Sequence, residues 1–184
     1  FKPINDLFGQ KAGDDILIGG TGNDTIVGGA GRDTYFVSAD GKDRIVDADR
    51  DSIVCIGDGV VPGQIKLRKG SLLLDFGNGA ELHIDNFDHA NPLLNPSFEA
   101  FQFADGTTLS WNELLARGFD IDGTDFDDEI VGTGVDDRID GRAGNDFIWA
   151  LDGNDILTGG TGTDGLAGGL GDDTYLLKAG DGAT

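Results

Sequence analysis

Residues 19–36 read GGTGNDTIVGGAGRDTYF, a nine-residue phrase written twice. Each copy opens on Gly-Gly, carries Asp at its sixth position (Asp24, Asp33) and a large apolar residue at its eighth (Ile26, Tyr35). Upstream, 10–18 (QKAGDDILI) keeps the Gly, the Asp and the apolar residue; downstream, a weaker copy follows a one-residue slip at 38–46 (SADGKDRIV). The same beat returns as six consecutive copies: 123–131, 132–140, 141–149, 150–158, 159–167 and 168–176. Position six is therefore Asp15, Asp24, Asp33, Asp43, Asp128, Asp137, Asp146, Asp155, Asp164 and Asp173. Position eight is Leu17, Ile26, Tyr35, Ile45, Ile130, Ile139, Ile148, Leu157, Leu166 and Tyr175. A short period kept this strictly marks a stacked repeat architecture.

The spacing dictates a local structure. The first six residues of a copy are Gly-rich, tolerate positive φ and turn. The last three, such as Thr25-Ile26-Val27, suit a short strand with position eight inward and positions seven and nine outward. So short a strand buries its apolar side chain only by stacking on further copies. Stacking also brings the sixth-position carboxylates together, and like charges that close are unfavourable. A hard divalent cation with oxygen ligands removes the conflict. Calcium suits better than magnesium, because it accepts six to eight oxygens in flexible geometry, main-chain carbonyls included. Zinc would favour Cys or His, and His83 and His89 lie outside the repeats.

GGTGNDTIV, GGAGRDTYF, GGTGTDGLA and GGLGDDTYL resemble the G-G-x-G-x-D-x-U-x nonapeptide of the RTX (repeats-in-toxin), haemolysin-type calcium-binding family. The resemblance implies an all-β chain with two parallel β-roll blocks, two nonapeptides per turn, and calcium between loops two copies apart. It implies pairing of Asp15 with Asp33, Asp24 with Asp43, Asp128 with Asp146, Asp137 with Asp155, Asp146 with Asp164 and Asp155 with Asp173. On the order of five or six calcium ions follow. Backbone carbonyls at Gly13, Gly20, Gly22, Gly29, Gly31, Gly144, Gly153, Gly160, Gly162, Gly169 and Gly171 complete the implied ligand set. Departures weaken particular sites: position four is Phe126 and Val135 in the first two copies of the second block, and position two is Lys11, Arg142 and Leu151 in places.

Between the blocks the beat is lost, and we divide the chain at 1–46, 47–119 and 120–184. The middle segment reads as antiparallel β: 64–68 alternates, 71–76 and 80–87 follow after Gly-containing turns, and 98–103 precedes an Asp105-Gly106 turn. Ser110-Trp111-Asn112-Glu113 has capping-box spacing and opens one short helix ending near Gly118. FQFADGTTLSWNELL (101–115) looks like the segment that follows calcium blocks in RTX proteins and caps the open end of a roll. GRDTYFVSADGKD (31–43) echoes GDDTYLLKAGDG (171–182), and the second block reaches Thr184 before any such cap. With an opening Phe1-Lys2-Pro3 and no signal peptide, the chain reads as part of a longer protein.

Composition bounds the function. The net charge is −21, and the acidic residues are aspartates apart from Glu81, Glu99, Glu113 and Glu129. Nucleic acid and anionic membrane are poor partners for such a surface. Without cations the same charge favours disorder. A single Cys, Cys55, permits no internal disulfide; it sits in the apolar run SIVCI and reads as a small core residue. Trp149 falls on an outward ninth position and is expected to pack against another element. Ser110 reads as a helix cap and not as a nucleophile. No HExxH or GxSxG appears, so no catalytic residue is assigned and any catalysis belongs to sequence outside this chain. The expected function is a secreted or cell-surface calcium-binding module. The resemblance implies export by a type I secretion apparatus and calcium-driven folding outside the cell. The alternative is a ligand-binding module of a calcium-dependent adhesin that meets sugar or protein on a host surface.

Overall fold

The computed structural model of the chain describes residues 6–8, 13–47, 51–94 and 96–177. The opening tripeptide, the start of the first copy at 10–12 (Lys11 included) and the end of the 171–182 echo lie outside the described residues. The chain forms two compact units, Phe1–Phe87 with Leu94–Leu114 and Asp88–Leu93 with Leu115–Thr184.

In the first unit, strands β1 (Asp6–Phe8), β2 (Ile16–Gly20), β3 (Thr25–Val27), β4 (Thr34–Val37), β5 (Lys42–Val46) and β6 (Ile53–Ile56) alternate between two sheets. β1, β3 and β5 pair in parallel in one; β2, β4 and β6 pair in parallel in the other. Successive nonapeptides thus take opposite sheets, and two copies make one turn of a solenoid. The register from β2 to β4 sets Leu17 against Tyr35, 18 residues on. From β3 to β5 it sets Ile26 against Ile45, 19 residues on, because the slip at Val37 adds one residue.

The parallel winding continues past residue 46. β6 belongs to an unrecognised fifth copy, 47–55, with Ser52 at position six and Val54 at position eight. Among the described residues, antiparallel pairing joins β7 (Lys66–Arg68), β8 (Leu72–Asp75) and β9 (Glu81–Ile84), and makes the hairpin of β10 (Ala100–Phe103) with β11 (Thr108–Ser110). On their other edges β9 pairs in parallel with β5 and β10 with β6. The intervening segment therefore grows from the roll as its next turn, carrying the β7–β8 hairpin as an insertion. A cluster of rings fills this end of the unit. Tyr35 meets Phe98 edge-on at 5.9 Å between centroids, Phe98 meets Phe101 at 5.9 Å, and Phe101 stacks on Trp111 at 6.2 Å.

A single five-residue α-helix is present among the described residues, α1 (Trp111–Leu115), and no described helix is long and apolar enough to cross a membrane. Its capping box forms as the spacing predicts. The Ser110 N–H donates to Glu113 Oε2 at 2.8 Å, and the Glu113 N–H donates to Ser110 Oγ at 3.3 Å. The Ser110 N–H and hydroxyl, both donating to this carboxylate, hold Glu113 below its usual range.

The second unit repeats the roll without insertions. β12 (Phe119–Asp122), β14 (Asp137–Asp140), β16 (Ile156–Thr158) and β18 (Thr174–Tyr175) form one parallel row. β13 (Glu129–Thr133), β15 (Phe147–Asp152) and β17 (Gly165–Leu170) form the other. Every register is 18 residues, two copies per turn.

Position eight is the core ladder: Leu17, Ile26, Tyr35, Ile45, Ile130, Ile139, Ile148 and Leu157 are buried. The ladder opens at Leu166, half-buried, and Tyr175, 46% exposed. Outward positions hold Ile16, Ile18, Phe36, Phe147 and Trp149, all exposed. Cys55 corrects the sequence reading: β6 alternates so that Val54 and Ile56 point inward and Cys55 outward, half-exposed, with its thiol 3.8 Å from Gln102 Oε1. Trp149 stands outward on β15 as expected, but the ring it packs against is Phe147 of the same strand and not another element, with centroids 4.4 Å apart.

Truncating this ladder is costly where it is closed. Ile148→Ala is expected to lower unfolding stability by about 2–5 kcal/mol, against less than about 0.5 kcal/mol for Ile16→Ala on the outer face. Arg142 holds φ 73° at a position two where other copies have Gly. Arg142→Gly is therefore expected to stabilise by roughly 1 kcal/mol. Denaturant titrations in saturating calcium check all three.

Candidate metal centre

Each Gly-rich loop delivers its sixth residue to the start of a strand, where the backbone is paired and the side chain is buried. Asp24, Asp33, Asp43, Asp137, Asp146, Asp155 and Asp164 are each at most 3% exposed; Asp15, Asp128 and Asp173 are half-buried. Carboxylates are seldom hidden so completely unless paired or bound to a metal.

All six expected pairs are brought together. The Asp15 N–H donates to Asp33 Oδ1 at 2.9 Å and the Asp24 N–H to Asp43 Oδ1 at 3.1 Å. In the second unit Asp128 donates to Asp146 (2.9 Å), Asp137 to Asp155 (2.8 Å), Asp146 to Asp164 (3.0 Å) and Asp155 to Asp173 (3.1 Å). Each sixth-position carboxylate after the first in its row thus grips the backbone of the loop one turn before it. In the first unit the rows run out of acid: the Asp33 N–H donates to Ser52 Oγ at 3.1 Å, and Leu82 stands in register with Asp43.

One hydrogen bond leaves oxygens over. Asp146 Oδ2, Asp155 Oδ2 and Asp164 Oδ2 are buried without a hydrogen-bond partner. An anionic oxygen held this way costs several kcal/mol unless a cation meets it. The carboxyls register the conflict. Burial, reinforced by neighbouring acids, pushes Asp43 up to about 7 and Asp155 up to about 6, and raises Asp33 and Asp146. Burial likewise pushes Asp137 up to about 7.

Stacking also crowds the loop backbones. A Cβ on Gly162, at φ 134°, would lie 1.9 Å from the Gly144 carbonyl oxygen; on Gly171 it would lie 1.8 Å from that of Gly153. Position four must be Gly in these loops because the carbonyls of the previous turn stand against it. Among the described residues no three His, Cys, Asp or Glu side chains converge. A cation here therefore needs carboxylates together with main-chain carbonyls, an all-oxygen set that fits calcium. Imidazole takes other roles: His83 hydrogen-bonds Ser71 Oγ at 2.9 Å and Glu81 Oε2 at 3.3 Å, and the His89 ring meets Phe119.

Two features escaped the sequence reading. Position five forms a second ladder of side chains. Asp127 Oδ1 accepts from Asn145 N–H (2.7 Å), Asn145 Oδ1 from Thr163 N–H (3.0 Å), Asp136 Oδ1 from Asn154 N–H (2.8 Å) and Asn154 Oδ1 from Asp172 N–H (2.9 Å). Its signal was the Asp or Asn at 14, 23, 127, 136, 145, 154 and 172. The position-one glycines also have a part, since a Cβ on Gly141 or Gly159 would meet the Oδ2 of the same copy's Asp146 or Asp164 at 2.4 or 2.5 Å.

A family model, the RTX calcium-binding nonapeptide repeat, matches residues 11–45, 122–157 and 141–175. Among solved structures the chain is similar to extracellular lipase LipA from Serratia marcescens at 19% identity and a TM-score of 0.28. The alignment covers 91% of this chain and 29% of the lipase, so the chain spans under a third of that protein's length. No curated protein matches it. The matched residues are those whose loops stack at 18- and 19-residue intervals, and with them the two repeat blocks of this chain belong to the RTX calcium-binding nonapeptide repeat family.

Proposed function

We propose that this chain is a calcium-gated folding module of a larger exported protein. The observation that carries the reading is the stack of buried sixth-position carboxylates, three of which have an oxygen with no hydrogen-bond partner. In it the sixth-position aspartates that keep a carboxylate oxygen to spare, such as Asp146, Asp155 and Asp164, supply the carboxylate ligands. Loop carbonyls of the glycines at positions two and four, from Gly13 to Gly171, supply the remainder. On the order of five or six ions accompany six Asp pairs.

The energetics make folding conditional. At −21, and with carboxylates forced together, the metal-free roll repels itself. At low cytosolic calcium the chain is extended and fit to pass a type I secretion channel. In a millimolar extracellular medium, calcium binds the folded form alone and draws the equilibrium over by mass action. The first unit's ring cluster and α1 cover the roll's apolar end and serve as its cap. The module itself performs no catalysis; the parent's activity resides elsewhere.

A second reading, a sugar- or protein-binding module of a surface adhesin, draws on the exposed Phe147–Trp149 pair. A glycan array probed in calcium separates the two.

Circular dichroism is expected to show a disordered chain in chelator and a β spectrum once calcium is added. A full β spectrum in chelator at neutral pH would sink the gating. Acidity acts with a defined sign. In the folded metal-free chain Asp43, Asp137 and Asp155 hold protons up to about pH 6–7, whereas unfolded carboxyls release them near 3.8. The fold then binds more protons than the unfolded chain between those limits, so metal-free stability falls as pH rises through that window. In chelator, lowering pH from 8 to 5 is expected to restore part of the β signal. In calcium the same protons compete with the ion, and the folding midpoint is expected to move to higher calcium.

A further inference from the structure

The first two copies of the second block satisfy their sixth-position carboxylates differently from the copies that follow. The Thr124 N–H and hydroxyl both donate to Asp128 Oδ2, at 2.6 and 2.8 Å. The Thr133 N–H donates to Asp137 Oδ2 at 2.6 Å, and its hydroxyl donates to Asp137 Oδ1 at 2.9 Å. Asp137 has both its oxygens and Asp128 its Oδ2 engaged from within their own copies, four residues away.

These threonines stand at position two. The next three copies carry Arg142, Leu151 and Gly160 there, none with a hydroxyl. Those are the copies of Asp146, Asp155 and Asp164, whose Oδ2 atoms are buried and unpartnered. The same threonines support their own turns: the Phe126 N–H donates to Thr124 Oγ1 at 3.2 Å and the Val135 N–H to Thr133 Oγ1 at 3.4 Å. That support accommodates the bulky residues at position four. One turn before Asp137 the register places Phe119, so no carboxylate faces it from that side.

Resting on the calcium reading above, we infer that Thr124 and Thr133 close the ion rows of the second block. Calcium is held through Asp146, Asp155 and Asp164, while the threonines take the cation's place at Asp128 and Asp137. A rule follows for the second block: a sixth-position Asp with Thr at position two of its own copy ends a row, and Asp146, Asp155 and Asp164, with no hydroxyl there, continue it.

The test is calcium per chain, measured by elemental analysis after gel filtration of the whole chain in calcium, with circular dichroism confirming that each variant folds. Asp146→Asn, Asp155→Asn and Asp164→Asn are each expected to lose at least one ion. Asp128→Asn and Asp137→Asn are expected to keep the wild-type ratio. Asp128 is half-buried, so its variant decides the matter should Asp137→Asn not fold. Loss of an ion from a folded Asp128→Asn or Asp137→Asn chain overturns the inference and leaves the calcium reading standing. Retention of every ion by the first three variants overturns the assignment of ions to those aspartates. A wild-type chain that takes up no calcium overturns the calcium reading itself.

Discussion

Everything in this fold turns on one contact repeated at each coil: the sixth-position carboxylate of one loop receiving the backbone N–H of the loop before it. Distances of 2.8 to 3.1 Å recur across six pairs. The contact fixes the register of the loops as firmly as the strands do, and it drags charge into the interior. A neutral residue would give the same hydrogen bond without the electrostatic cost, as Ser52 does beneath Asp33. Retaining aspartate at the other positions makes sense when a cation completes the site, because carboxylate charge strengthens an oxygen site's hold on calcium beyond what neutral carbonyls give.

Geometry and charge are coupled through glycine. Loops stacked this closely leave no room for a side chain at position four of a later coil. The backbone carbonyls of the previous coil are thereby held close beside the carboxylates. Where that glycine is replaced, at Phe126 and Val135, a threonine hydroxyl braces the turn. The sequence departures that weaken the expected ion sites are thus compensated locally.

The two units share one repeat and end it by different means. In the first, Ser52 and Leu82 remove acid from both rows, and the next coil is built from β9 and β10, with a hairpin inserted and rings packed over the end. In the second, the coil before the first carboxylate is β12, with Phe119 and Ile121 buried where Asp and Ile stand in the following turn. An apolar residue in register with an aspartate closes a row because it offers no oxygen and fills the space.

The nine-residue period alone determined the inward ladder from Leu17 to Leu157, the outward placement of Trp149 and the alternation of turn and strand, since each follows from spacing; which carboxylates pair came from the family resemblance. The period could not reveal the fifth copy at 47–55, because losing Gly and Asp there erased the pattern while Val54 kept the packing. Nor could composition place Cys55, which needed the phase of β6. What only the tertiary structure decided is which oxygens remain unsatisfied. Asp137 and Asp155 look alike in the chain, yet one is closed by Thr133 and the other is left with a buried bare oxygen. The residue type at position two, Thr133 against Leu151, is written in the chain, but that its hydroxyl is turned onto the carboxylate is decided only by the folded loop.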